Sequence, residues 1–139
     1  MLKVQQLDAD FSYKFKKKLL YNNLRFLANK EGKNISNLII YLCSDEGLLK
    51  INKEHLNHDY YTDIITFDYS NNSNLNLEMY ISTDRIIENA KKYKVPILIE
   101  FYRVCLHGLL HCCGYKDKTK VDQHIMRNKE NEYLQLFSS

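Results

Sequence analysis

The sequence has little of what interrupts or extends a protein chain: no tryptophan, one proline and four glycines among 139 residues. Low-complexity linkers and collagen-like repeats need far more glycine and proline, so both are excluded. No apolar run approaches the ~20 residues of a membrane span. The N-terminal segment MLKVQQ becomes polar within three residues, unlike a signal peptide. These absences predict a cytoplasmic protein that makes no membrane contact.

Charge and cysteine content are also modest. The net charge is +3 and the pI about 8.6, below the pI of about 9 that is typical of strong nucleic-acid binders. Four cysteines in a chain without an export signal are expected to be reduced thiols rather than disulfides. The length suits one hydrophobic core, so we expect a single domain over residues 1–139.

The spacing of apolar residues predicts five helices and three strands. In chain order these are a helix over 13–31, a strand over 37–44, a helix over 45–56, strands around 64–67 and over 77–82, and helices over 84–93, 97–113 and 120–137. This order predicts an α+β fold, with a small mixed sheet packed by helices and the apolar helix 97–113 at its centre. In the last helix the expected inner residues are Ile125, Met126, Tyr133, Leu134 and Leu136.

The segment HGLLHCCGYKD, residues 107–117, ends that apolar helix with an unusual set of polar residues. Positions four apart on a helix are rotated by only about 40°, so His107 and His111 project side by side. Two neutral imidazoles in this arrangement can bind one divalent metal. Gly114 lets the backbone reverse, and Asp117 can then return as an oxygen ligand. The sequence therefore predicts a metal site made by His107, His111 and Asp117.

Two nitrogens and one carboxylate leave a coordination position open, as in catalytic zinc sites. A zinc ion in such a site lowers the pKa of a bound water and polarises the bond under attack. Cys112 and Cys113 lie about 100° and 200° around the helix from His111, which favours packing over metal binding. Asp122 and His124 on the next helix rank below Asp117 as candidate ligands.

The residue after the first histidine separates two reactions. Zinc peptidases of the HExxH kind carry a glutamate there as general base, and this chain has Gly108. RNA cleavage demands less of the protein, because the substrate can bring its own 2′-hydroxyl and the metal can stabilise the developing charge. Positive side chains near the metal would assist, and Lys116, Lys118 and Arg103 lie close to the motif. The motif therefore favours RNA over peptide as the substrate.

The pattern HGLLHxxGYxD resembles the signature of the bacterial YbeY family, the metal-dependent endoribonucleases of rRNA maturation. The stretch YTDIITF, with Thr62 and Asp63 before a strand, is similar to that family's Thr-Asp-Val-Leu-Ser-Phe segment. The similarity covers about residues 35–134. It implies a metzincin-like (zincin-like) fold whose central helix carries the metal ligands, and it implies that Thr62 and Asp63 contact the substrate.

Three positions differ from the family pattern. The usual third ligand is a histidine preceded by aspartate, and here the pair is Lys116-Asp117. An arginine of the family's Leu-Asn-x-x-Tyr-Arg stretch corresponds to Leu56, so His58 or Arg103 would have to replace it. The family's Gly-Asp pair before the next strand is Leu77-Glu78 here.

Together these observations predict a zinc-dependent, single-strand-specific endoribonuclease for 16S rRNA 3′ end maturation and ribosome quality control. Its metal-binding and catalytic residues would be His107, His111 and Asp117, and its substrate contacts Thr62, Asp63, Arg103, Lys116 and Lys118. Zinc, nickel or another divalent metal suits the ligand set. The expected partners are RNA, especially the small-subunit rRNA precursor, and ribosomal proteins or an assembly GTPase. The alternatives are a metalloprotease-like hydrolase and a non-catalytic, metal-stabilised ribosome assembly factor.

Overall fold

A mixed four-stranded sheet forms the middle of the structure, a computed structural model that describes residues 1–57 and 62–137. The strands are β1 (Leu2–Gln6), β2 (Asn34–Cys43), β3 (Ile64–Asp68) and β4 (Asn74–Ser82), in the order β1-β2-β4-β3. β1, β2 and β4 run parallel, and β3 lies antiparallel to β4 at one edge. The helices are α1 (Lys17–Lys30), α2 (Asp45–Leu56), α3 (Thr83–Tyr93), α4 (Ile97–Cys112) and α5 (Lys120–Leu134), followed by a 3₁₀ turn (Gln135–Phe137). The predicted mixed sheet packed by helices is confirmed.

The two faces of the sheet bury different residues, because side chains alternate along a strand. On one face Ile40 of β2 lies beside Met79 of β4, and both belong to the main core with α1 and α4. On the other face Tyr41 stacks on Tyr80 with ring centroids 4.6 Å apart, in the region that Leu48 of α2 helps to cover. The sheet is therefore a middle layer between α2 and the remaining helices.

α4 is the most buried helix of the main core. It begins after Pro96, which has no N–H to leave unpaired. Its apolar residues contact the sheet, α1 and α5, and these fully or almost fully buried side chains are Phe101, Tyr102, Val104, Cys105, Leu106, Leu109 and Leu110. Within the described residues no single helix has the length and composition to cross a membrane; α3 and α4 pass that test only together, and a 116° bend separates them.

The structure contains one strand that the sequence pattern does not reveal. β1 pairs with β2 with Leu2 opposite Leu38; its apolar alternation is limited to Leu2 and the half-buried Val4, which is too short to predict a strand. The prediction for Ile125 was wrong, because this side chain is exposed. The inner stripe of α5 runs through Met126, Glu130 and Tyr133, and Ile125 lies about 100° away from Met126.

Candidate metal centre

His107 and His111 project from the last turns of α4 on the same side of the helix. Their Nε2 atoms are 3.0 Å apart. The two rings meet edge to face, with centroids 4.6 Å apart. His107 is half-buried and His111 is exposed, so the pair lies at the mouth of a cleft rather than inside the core.

The turn after α4 brings the third side chain to the histidines. Gly114 adopts φ +105°, a conformation that side chains with a Cβ rarely reach. The N–H of Gly114 donates to the carbonyl of His111, and the N–H of Tyr115 donates to that of Leu110, which is the Schellman pattern of helix termination. The chain then reverses, and Asp117 Oδ2 lies 3.7 Å from His107 Nε2. One ligand atom from each of the two histidines and Asp117 falls within 4.8 Å of the others.

Hydrogen bonds on the far side of each ring set the tautomers. His107 Nδ1 lies 2.7 Å from Glu130 Oε2, and His111 Nδ1 lies 2.9 Å from the carbonyl oxygen of Tyr115. Both partners are acceptors, so each neutral ring carries its proton on Nδ1 and has a lone pair on Nε2. Two lone pairs 3.0 Å apart beside the Asp117 carboxylate repel one another unless a cation lies between them. The donor set therefore fits a divalent metal ion.

Glu130 is the carboxylate that sequence reasoning missed. It lies on α5, is 4% exposed, and accepts hydrogen bonds through both oxygens, from His107 through Oε2 and from Arg103 through Oε1. The Arg103 contact measures 2.9 Å, and Arg127 adds a second cation 3.6 Å from Oε1. A signal for Glu130 was present, since a glutamate on the inner stripe with Met126 and Tyr133 must have a buried partner.

The charges of this group influence one another strongly. Burial by itself would lower the pKa of His107, but the hydrogen bond and negative charge of Glu130, with Asp63 and Asp117, raise it above the usual value. Burial would likewise raise the pKa of Glu130, but His107 and Arg103 hold it below the usual value. Both shifts favour the charged forms, an imidazolium beside a carboxylate, so a metal ion at Nε2 competes with a proton for His107.

Gly108 lies where α4 approaches β3 most closely. A Cβ at this position would be 2.7 Å from Cδ1 of Ile64 and 3.3 Å from both Oγ1 of Thr66 and Cε of Met79. A glutamate in this place, as in the HExxH peptidases, would force the side chains of Ile64, Thr66 and Met79 to shift. The tight packing thus suits a residue without a Cβ at position 108.

The motif and the fold agree with known proteins. A family model described as Endoribonuclease YbeY matches residues 2–138. The chain belongs to the YbeY family. It is similar to the Endoribonuclease YbeY of Flavobacterium psychrophilum, with 48% identity over 107 residues that cover 77% of this chain and 76% of the relative. It is also similar to that of Phocaeicola vulgatus, with 39% identity over 123 residues that cover 88% and 89%.

A solved structure shows the same fold. The solution structure of TM1509 from Thermotoga maritima matches with a TM-score of 0.64 and covers 98% of this chain and 88% of its own. Its sequence identity to this chain is 22%. The family model and the relatives confirm the resemblance to YbeY proteins that two short motifs indicated, and the solved structure shows that the likeness of the fold extends well beyond those motifs.

The other positions that differ from the YbeY pattern lie away from the two histidines. Leu56 is the last residue of α2 and is 42% exposed, and His58 lies outside the described residues. Leu77 is fully buried in β4, and Glu78 accepts a hydrogen bond from the hydroxyl of Tyr69.

The lower-ranked candidate ligands have other partners. Asp122 accepts a hydrogen bond from the backbone N–H of Thr119 and completes the capping box of α5, and His124 pairs with Asn128. Cys112 and Cys113 pack against the main core, where burial raises the pKa of their thiols to about 12 and about 11. Both thiols are therefore protonated near neutral pH, which suits their predicted packing role.

The predicted substrate contacts surround the metal ligands on several sides. Thr62 and Asp63 line a cavity of about 400 Å³ between β3 and the ligands. Asp63 is half-buried, and burial raises its pKa although His107 opposes the shift. Lys116 and Lys118 are exposed and line a groove on the other side of Asp117. Arg103 differs from them, because Glu130 and Asn131 already accept hydrogen bonds from its guanidinium.

Proposed function

We propose that this protein is a metal-dependent endoribonuclease specific for single-stranded RNA, which matures the 3′ end of 16S rRNA and takes part in ribosome quality control. One observation carries the proposal: in a chain of the YbeY family, two imidazole lone pairs and a carboxylate converge within 4.8 Å at the meeting point of several open cavities. We also propose that residues 1–139 act as one domain, in the cytoplasm.

His107, His111 and Asp117 are the proposed ligands and hence the catalytic residues. Zinc is the preferred ion, and nickel or another divalent metal also suits two imidazoles and a carboxylate. When bound, the ion supplies Lewis acidity toward a water molecule and a phosphate oxygen. Glu130 and the carbonyl of Tyr115 hold the two rings in the orientation that this requires.

The substrate-binding roles follow from position and charge. Lys116 and Lys118 carry positive charge beside Asp117, where a scissile phosphate must lie, so they are assigned to the RNA backbone. Thr62 and Asp63 form the wall on the β3 side. Arg103 acts chiefly through Glu130, since its guanidinium is engaged and only partly exposed. Precursor rRNA of the small subunit is the proposed substrate, with ribosomal proteins or an assembly GTPase as partners.

The first alternative, peptide hydrolysis, is disfavoured because Gly108 stands where HExxH peptidases carry their glutamate base. A non-catalytic assembly factor differs from the proposed nuclease only in the lack of cleavage, so one assay separates the two. It gains support if metal removal lowers the thermal stability while RNA stays bound and uncut.

The test combines elemental analysis with cleavage of small-subunit precursor RNA and of single-stranded and duplex oligonucleotides. The wild type should bind about one divalent ion per chain and cut single strands preferentially. His111→Ala and Asp117→Ala should lose both properties, because each removes one of three ligands. His55→Ala is the matched control for metal content, since His55 is an exposed histidine of α2 outside the ligand group and the cavities that border it. Undiminished cleavage by His111→Ala would refute the proposal.

A further inference from the structure

A second cavity opens onto the proposed metal ligands, and neither Lys116 nor Lys118 is in its lining. It has a volume of about 490 Å³, within the range of about 300–1,000 Å³ that is usual for small-ligand pockets. His107 and Asp117 lie on its border, so whatever fills it touches the metal centre. α3 contributes Asn89 and Tyr93 to its wall, and α5 contributes Gln123.

The charges inside this cavity do not suit a phosphate. Asp63, Glu100 and Glu130 line it, and the last two are at most 5% exposed. Arg103 and Arg127 also line it, but both already pair with Glu130, at 2.9 Å and 3.6 Å. With Asp117 on its border, the lining thus holds four carboxylates and two arginines, so it repels an anion. An uncharged part of the substrate is the better occupant.

The uncharged residues of the wall match the chemistry of a nucleobase. Tyr93 is the last residue of α3 and is 53% exposed, so its ring has a free surface for stacking. Lys92 Nζ lies over one face of that ring, 5.4 Å from its centroid, so a base would stack on the other face. Asn89 and Gln123 present amide groups that can hydrogen-bond to base edges.

We propose that this cavity is a nucleobase subsite, in which Tyr93 stacks on the base of a nucleotide next to the scissile phosphate. The groove of Lys116 and Lys118 then receives the backbone on the other side, and Asp117 borders both sites. The inference rests on the proposed function, because it takes single-stranded RNA as the ligand. It adds a direction to the bound strand, with the base on the α3 side and the phosphates on the lysine side.

The experiment measures the binding of a 2′-O-methyl single-stranded oligonucleotide that carries 2-aminopurine, with the zinc-loaded protein. Stacking quenches 2-aminopurine fluorescence, so the wild type should quench it on binding. Tyr93→Ala should abolish the quenching and weaken binding by about 5- to 100-fold, the effect of losing one base–aromatic stack. Tyr93→Phe should retain both, because it keeps the ring. Tyr69→Ala is the matched control, since Tyr69 is 58% exposed and lies outside the cavity.

Oligonucleotides with a single abasic position identify the role of the base. The wild type should lose affinity when the abasic position falls at one place beside the cleavage site, and Tyr93→Ala should be insensitive to it. Equal affinity of Tyr93→Ala and wild type for the intact strand would overturn the subsite. The subsite would also be overturned if the Tyr93→Ala substitution lowered the affinity for the intact strand and for the abasic strand by the same factor. Base-dependent binding of the 2′-O-methyl strand, with no cleavage of the unmodified RNA strand under any divalent metal, would instead refute the proposed nuclease and leave the subsite standing.

Discussion

Replacement of Glu130 by alanine tests whether this buried carboxylate controls the metal centre. The change removes the acceptor that holds His107 Nδ1 at 2.7 Å, so the ring can rotate or change tautomer. Loss of such an outer partner typically lowers metal affinity by about 10- to 100-fold, or about 1.4–2.8 kcal/mol. The apoprotein should also lose stability, because removal of one partner from a buried ion pair costs about 3–5 kcal/mol. Arg103 keeps Asn131 as an acceptor, so the lower end of that range is expected.

The conservative variant Glu130→Gln separates shape from charge. One amide oxygen cannot serve both His107 and Arg103, and the amide N–H groups would then face a donor. We expect a loss of about 10-fold in zinc affinity, between wild type and Glu130→Ala. Competition with a zinc chelator gives the affinities, and urea unfolding of the metal-free proteins gives the stabilities.

Glu132→Ala is the control for this comparison. Glu132 lies on the same helix and pairs at the surface with Lys30 and Lys129, both at 3.7 Å. Exposed pairs contribute about 0–1 kcal/mol, so this variant should keep the zinc affinity and nearly all the stability. If Glu130→Ala bound zinc with wild-type affinity, the assignment of Glu130 as the positioning partner of His107 would be wrong.

Two further predictions concern packing and pH. Gly108→Glu, which would introduce the HExxH glutamate, should destabilise the protein by at least about 3 kcal/mol in urea unfolding, because it forces a charge against Ile64. The variant should also show no peptidase activity. Normal stability would contradict the close approach of α4 to β3. Burial opposes a lowered pKa at Glu31, but hydrogen bonds from Tyr133 and Tyr115 hold that pKa below its usual value. The stabilisation that the ionised Glu31 carboxylate gives is therefore complete above the pKa of about 4.3 that Glu31 has in the unfolded chain. It is lost as the pH falls through the lower pKa that Glu31 has in the folded protein. Glu31→Gln should be less stable than wild type by roughly 1.5 kcal/mol at pH 7, and the difference should shrink below pH ~4; a constant difference would refute the assignment.

The parts of the site that sequence could predict depend on local geometry. Helical periodicity places His107 and His111 on one face, and Gly114 marks the turn that returns Asp117. These relations hold whatever the rest of the chain does, because they span less than four helical turns. The mixed sheet and its helices were likewise predictable from periodicity, since β2 and β4 bury alternate residues.

The parts that sequence could not predict depend on contacts between distant segments. β1 owes its strand conformation to parallel pairing with β2, not to its own mostly exposed residues. Glu130 reaches His107 across 23 positions because α5 packs against α4. Arg103 looked like a phosphate contact in sequence, and its engagement by Glu130 appears only when those two helices are placed side by side.

The segment between α4 and α5 has a consequence for how the protein moves. Residues 113–119 join two helices that both hold the metal ligands in place, and Asp117 lies on this connection. An ion held by α4 and by the connection cross-links them, as a disulfide would, and limits how far the connection can open. Local opening in a protein costs much less than global unfolding, so the residence time of the ion sets how often this wall of the cleft opens. Under the proposed function, release of the ion and release of RNA would both depend on this opening.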